Sequence, residues 1–114
     1  MPVETKKINN TLIIYIKKKL DVNTSPTVEE KIIDVIKSAS QDNFIVNLKE
    51  VEYINSTGLK IFVTVLHMLR GTHKKIVICN INNEIKNLFD VSGLMDIYKI
   101  FENENAAISS FENE

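Results

Sequence analysis

The stretch "VEYINSTGLKIFVTVL", residues 51–66, begins and ends as apolar chain suited to a protein interior, yet its centre is Asn55, Ser56, Thr57 and Gly58. None of these four can fill a core. The right half reads as a helix from about Ser56 to Arg70, stopped at Gly71, where a left-handed residue closes the last turn. Upstream, "NFIVNLK" (43–49) is a short, mostly apolar run of strand length, and downstream "KKIVICNI" (74–81) is another. A polar turn therefore joins a buried strand to a largely apolar helix inside a β-α-β unit.

Further out, residues 3–8 and "TLIIYIKKKL" (11–20) read as a hairpin around the turn signal "NN" at 9–10. In "TSP", Thr24 or Ser25 can cap a helix whose first residue is Pro26. Val28, Ile32, Val35, Ile36 and Ala39 continue it at helical spacing to near Ser40. "NNEIKNLFDVSGL" (82–94) has an Asn start, helical spacing of Ile85, Leu88 and Phe89, and a Gly93 stop. "DIYKIF" (96–101) reads as a last edge strand and "NENAAISSF" (103–111) as a terminal helix. The expectation is an α/β domain spanning residues 1–114, with a mostly parallel four- to five-stranded sheet, an antiparallel N-terminal strand and about four helices.

Composition narrows the function classes. With 114 residues, 44% hydrophobic and 25% charged, and a formal net charge of -1, the chain has no electrostatic reason to seek nucleic acid or an anionic membrane. Its apolar runs are far below a membrane span, "MPVETKKINN" lacks the apolar segment of a signal peptide, and the lone Cys79 fits a reducing compartment. A cytoplasmic location is expected.

Sites in an open parallel sheet form where strands end and crossover helices begin. This sequence sends short hydrogen-bonding side chains there: Asp21, Asn23, Thr24 and Ser25, then Asn55, Ser56 and Thr57, then Asn80, Asn82 and Asn83. Helix caps and turns draw on the same residue types, and that reading stands beside a functional one. The middle group is distinguished by its helix. Ser56, Lys60, Thr64, His67 and Gly71 form one narrow polar stripe, flanked by Ile61, Val63 and Met68, while Leu59, Phe62, Val65, Leu66 and Leu69 can face the sheet. Exposed aliphatics beside a serine at a helix start fit a surface that another protein covers, and burial of the helix on three sides is the competing account. As a cap, Ser56 would accept an N–H bond worth about 1 kcal/mol. Leu59, three residues on, supplies no carboxylate for the first-turn donors, and Gly58 removes a side chain that would hold another backbone away from Ser56.

"VEYINSTGLKIFV" resembles the signature of the STAS family of anti-sigma factor antagonists, a strand followed by a hydrophobic-Asp-Ser-Ser/Thr-Gly-Leu turn. "LDVNTSP", "FIVNLKEVEYI" and "INNEIKNLFDVSGLMDIYKIF" extend the likeness over nearly the whole chain. The resemblance implies a partner that is both an anti-sigma factor and a serine protein kinase, phosphorylation of Ser56 by it, and reversal by a serine phosphatase of the metal-dependent type. It implies no cofactor. It makes Thr57 the neighbouring hydroxyl, Gly58 the close-approach residue and Asp21 the acidic residue on the same rim. With the stripe, the partner surface expected is Asp21, Asn23, Thr24, Asn55, Ser56, Thr57, Gly58, Lys60, Ile61, Val63, Thr64 and His67. Two positions depart from the family pattern: Asn55 replaces the usual Asp, and Lys18 and Lys19 replace a Gly before the Leu-Asp pair.

Two other classes compete. Ser56, His67, His73, Cys79 and Asp21 include the ingredients of a nucleophile relay, but His67 lies eleven residues down the same helix, about 16 Å at 1.5 Å per residue, beyond hydrogen-bond reach. The chain is therefore read as no enzyme. The other alternative is a STAS-like module that is never phosphorylated and serves as a subunit or ligand-binding part of a larger assembly, such as a membrane transporter.

Overall fold

The computed structural model describes residues 2–113. Met1 and Glu114, the ends of the expected 1–114 domain, lie outside the described residues. In chain order the elements are β1 (Val3–Ile8), β2 (Thr11–Lys17), α1 (Ser25–Ser38), β3 (Asn43–Glu50), α2 (Ser56–Leu69), β4 (Lys75–Cys79), α3 (Asn83–Ser92), a 3-10 turn (Leu94–Asp96), β5 (Ile100–Phe101) and α4 (Glu104–Glu112). The strands lie side by side in sequence order, β1 antiparallel to β2 and all other pairs parallel. The expected mixed five-stranded sheet with four helices is what forms.

The unbroken apolar run of β2 has a direct cause: both faces of the sheet are covered. Leu12, Ile14 and Ile16 point into the main core with Phe44, Val46 and Ile78, beneath α1, α2 and α3. Ile13, Ile45, Val77 and Cys79 point the other way, onto Ala107, Ile108 and Phe111 of α4. Glu104 fastens the start of α4, its Oε1 accepting from the Tyr15 hydroxyl at 2.7 Å and from the side-chain Nδ2 of Asn47 at 3.0 Å. Phe62 of α2 makes edge contacts with Phe89 at 5.3 Å and Tyr98 at 6.0 Å, pairs worth about 0.5–1.5 kcal/mol each beyond the area they bury.

Several boundaries differ from the expectation. β2 ends at Lys17 rather than residue 20, because its register against β3 shifts after Tyr15 and Lys18 adopts φ 71°. α1 includes Ser25 and stops at Ser38. The last strand is only Ile100–Phe101, since the preceding residues fold into the 3-10 turn and bury Leu94 and Tyr98 in the core. The Tyr98 hydroxyl donates to the Phe62 carbonyl at 2.6 Å. At the end of α2, Arg70 is the cap and Gly71, at φ 80°, supplies the left-handed residue.

Candidate functional site

The three polar segments do meet at one rim, and the backbone explains how. Beyond the ends of β2 and β3 the two chains pair once more at Leu20 and Ile54. The Leu20 amide donates to the Tyr53 carbonyl at 2.8 Å, and the Asn55 amide donates to the Leu20 carbonyl at 3.0 Å. This places the Asp21 loop against the turn that opens α2. On the other side, the Asn82 side chain donates to the Glu52 carbonyl at 3.2 Å and tethers the start of α3.

Asn55, not Ser56, caps α2. Its Oδ1 accepts from the Gly58 amide at 3.1 Å while its backbone is extended, the arrangement expected of an N-cap. The capping role offered to Ser56 is thus taken, and Ser56 is the first helical residue. Its side chain is exposed, and neither its hydroxyl nor the amides of Ser56 and Thr57 have a hydrogen-bond partner among the described residues. A hydroxyl at the positive end of a helix, beside unsatisfied N–H groups, is a favourable seat for a dianion.

Asp21 and Thr24 are spent on their own loop. Asp21 Oδ1 accepts from the amides of Asn23 at 2.9 Å and Thr24 at 3.1 Å, and Thr24 Oγ1 accepts from the Asp21 amide while donating to the Lys19 carbonyl at 2.7 Å. Partial burial pushes the Asp21 pKa up. The Thr24 and Asn23 bonds and the nearby Lys19 ammonium outweigh that and hold it below the usual carboxylate range. Thr24 does not cap α1 through its side chain, as that hydroxyl is already engaged. Asn23 is exposed.

Two expected surface residues turn inward. Ile61 is only 1% exposed, one of the residues by which α2 meets the core. Gly58 is buried, and a Cβ there would lie 2.7 Å from Leu20 Cβ and 2.9 Å from the Leu20 carbonyl oxygen. The glycine admits the chain's own Leu20 rather than a visiting backbone. Ser56, Lys60, Val63 and His67 remain exposed, with Thr57 and Thr64 half-buried, so the polar stripe survives with Val63 as its apolar flank. Sequence spacing missed Val22, 65% exposed in the Asp21 loop, and Tyr53, 46% exposed just before Asn55. Their signal was present: each is an apolar residue in a turn that already carries polar rim residues.

The ingredients of a relay are dispersed. His73 is paired with Asp42 at 2.8 Å, beside the starts of β3 and β4, at the end of the sheet opposite Ser56. Cys79 is fully buried, and desolvation pushes its thiol up to about 12. Among the described residues no cluster of three His, Cys, Asp or Glu side chains is arranged to hold a metal ion, and no helix is long and apolar enough to cross a membrane.

The family model for the STAS domain matches residues 2–107. The chain belongs to the STAS domain family. An anti-sigma-B factor antagonist of Staphylococcus aureus is 32% identical over 100 residues, covering 88% of this chain and 92% of the relative. Among solved structures, an anti-sigma factor antagonist from Mycobacterium paratuberculosis superposes with a TM-score of 0.86 at 18% identity, over 95% of this chain and 91% of that one. The antagonist SpoIIAA in its unphosphorylated form superposes at 0.81, also at 18% identity, over 98% and 97% of the two chains. The structure of SpoIIAA in its phosphorylated form superposes at 0.71, over 96% and 98%.

Proposed function

We propose that this STAS domain is an anti-sigma factor antagonist working in the cytoplasm as a phosphorylation-controlled partner switch. Unmodified, it binds an anti-sigma factor that is also a serine kinase and so frees a sigma factor or another regulator. Phosphorylation of Ser56 releases it, and a metal-dependent serine phosphatase resets it. The observation that carries the reading is the Ser56 hydroxyl, exposed and unpartnered among the described residues at the N-terminus of α2. The likeness to an anti-sigma-B factor antagonist supports the same partner class.

The physical consequence of phosphorylation differs between the free and bound states. In the free domain a phosphate adds about -1.5 to -2 charges at a helix N-terminus, which favours negative charge by about 0.3–1 kcal/mol. Under a partner the same group must shed water against Val22, Tyr53 and Val63 or meet the kinase's own nucleotide phosphates. A buried, unpaired charge costs several kcal/mol. A loss of about 4 kcal/mol weakens binding roughly a thousandfold, enough to empty a micromolar complex.

The test is incubation of the purified domain with ATP, Mg2+ and the histidine-kinase-like serine kinase of the same organism, with the added phosphate located by mass spectrometry. One phosphate on Ser56, absent from Ser56→Ala, supports the switch. Stable binding of the kinase with no phosphate transferred sinks it in favour of an unmodified STAS subunit.

A further inference from the structure

The sheet carries a gap far from Ser56. β4 has five residues and β5 two, and their pairing is confined to Ile78 with Ile100 and Cys79 with Phe101. In a parallel ladder, alternate residues of a strand address opposite neighbours. The Lys75 amide donates to Asp42 on the β3 side, whereas the Ile78 and Asn80 amides donate to Lys99 and Phe101 on the β5 side. Ile76 shares the parity of Ile78. Its N–H and C=O therefore face the space that a longer β5 would fill, and neither has a partner among the described residues.

That space is a groove of about 580 Å3. Val63 and Leu66 of α2 form one wall, Phe111 of α4 the opposite wall, and Ile97 one end. These are the two layers between which a strand in the plane of the sheet would lie. Among the described residues the charge at its border has one sign: Arg70 and Lys99 line it, neither forms an ion pair, and no Asp or Glu is among the residues that line it.

We propose that the open half of β4 receives an extended peptide segment of a partner protein as an added strand, an apolar core flanked by carboxylates. Apolar walls alone would suit many occupants. The unpaired donor and acceptor of Ile76 require a backbone to answer them, and strand addition supplies one. Side chains alternating along the peptide meet α2 and α4 in turn. The stretch from Lys75 to Val77 is about 10 Å long, so acidic residues on either side of an apolar triplet come within reach of Arg70 and Lys99.

The proposal does not rest on the Ser56 switch: Val63 and His67 border both surfaces, but Ser56 itself lies at the other end of α2, about 20 Å from Arg70. The test uses the full chain and the fluorescein-labelled peptide Asp-Glu-Val-Ile-Val-Glu-Asp, followed by anisotropy and by NMR amide exchange. Saturable binding is expected, with exchange of the Ile76 amide slowed at least about tenfold at saturation. Arg70→Glu combined with Lys99→Glu is expected to weaken binding about tenfold, and Ser56→Asp to leave it unchanged. A peptide N-methylated at its central residues, which needs no altered protein, is expected not to bind. The proposal is overturned if the peptide fails to bind at millimolar concentration, if it binds without protecting Ile76, or if a lysine-flanked version binds equally well. It is also overturned if dodecanoate fills the groove and the peptide does not, or if Ile76 is already protected in a dimer of the free chain.

Discussion

Gly58 and Leu20 are in such close contact that a Cβ on the glycine would stand 2.7 Å from the leucine Cβ and 2.9 Å from its carbonyl oxygen. Part of that obstruction is backbone, held by the pairing of Leu20 with Ile54, so it cannot swing aside. Gly58→Ala gains up to about 1 kcal/mol of helix propensity and incurs an overpacking cost of about 1–3 kcal/mol. A net loss of stability is expected in urea denaturation. The Asp21 loop should also move away from the α2 turn, read as chemical-shift changes at Leu20 and Asn23. A variant as stable as the parent would mean that this contact does not fix the rim.

Much of this arrangement was legible in the sequence, and the misreadings share one cause. Element order, sheet direction and the exposed Ser56 follow from period and punctuation, which are local. What faces inward on α2 is not local. Ile61 flanks the polar stripe on a helical wheel, yet α1, the crossover helix before it in the chain, packs beside α2 on the same face of the sheet, and Ile61 is buried in the core they share. Gly58 looked like an opening for a partner because nothing in the local sequence reveals that Leu20, thirty-eight residues earlier, fills the space. The groove beside β4 was invisible for the same reason: it exists because Tyr98 leaves the sheet edge to bond Phe62.

Asn55 replaces the family's usual Asp, and the structure separates its two contributions. The cap bond to the Gly58 amide is retained by the carboxamide. Asn55→Ala is expected to cost about 1 kcal/mol in thermal or urea unfolding. Asn55→Asp should keep the cap and add about 0.3–1 kcal/mol through the helix dipole at low salt. If the missing carboxylate limits phosphate transfer, the same variant raises the rate of Ser56 phosphorylation under matched kinase and ATP. An unchanged rate would confine residue 55 to capping.

Lys18 and Lys19 stand where the resembled pattern carries a glycine, and of the two it is Lys18 that adopts φ 71°, in the left-handed region that glycine enters freely. A side chain in the left-handed region costs roughly 1 kcal/mol. The lysine is exposed and has no ion pair among the described residues to offset this. Lys18→Gly is expected to stabilise the domain by up to about 1 kcal/mol, seen as a higher Tm of a few degrees. A lower Tm would show that the greater freedom of glycine in the unfolded chain dominates here.

Stability should fall in alkali. Burial pushes the Cys79 thiol from an ordinary 9.0 up to about 12, and burial raises the Tyr98 and Tyr15 hydroxyls above their usual range as well. The fold favours the protonated forms, so their contribution is complete below about pH 9 and is lost as the pH climbs through the folded-state values. Tm is expected to hold steady from pH 7 to 8.5 and to decline above 9. At pH 8 iodoacetamide should label Cys79 only in denaturant; rapid labelling of the native chain would contradict the burial.

The switch itself predicts opposite effects on fold and on binding. Ser56 and Lys60 are four residues apart on α2 and both exposed, so a phosphate on the serine gains an (i, i+4) partner worth about 0.2–0.5 kcal/mol besides the helix dipole. Phosphorylated domain, and to a lesser degree Ser56→Asp, should therefore unfold at the same or slightly higher urea concentration and keep the parent circular dichroism spectrum. Lys60→Ala should remove part of that gain without affecting the unmodified domain. Against the kinase, the phosphorylated form should lose affinity by about a thousandfold, the equivalent of about 4 kcal/mol, because there the charge must be desolvated. A phosphorylated domain that retained its affinity, or that changed its secondary structure, would mean that Ser56 controls binding by some route other than charge at the interface.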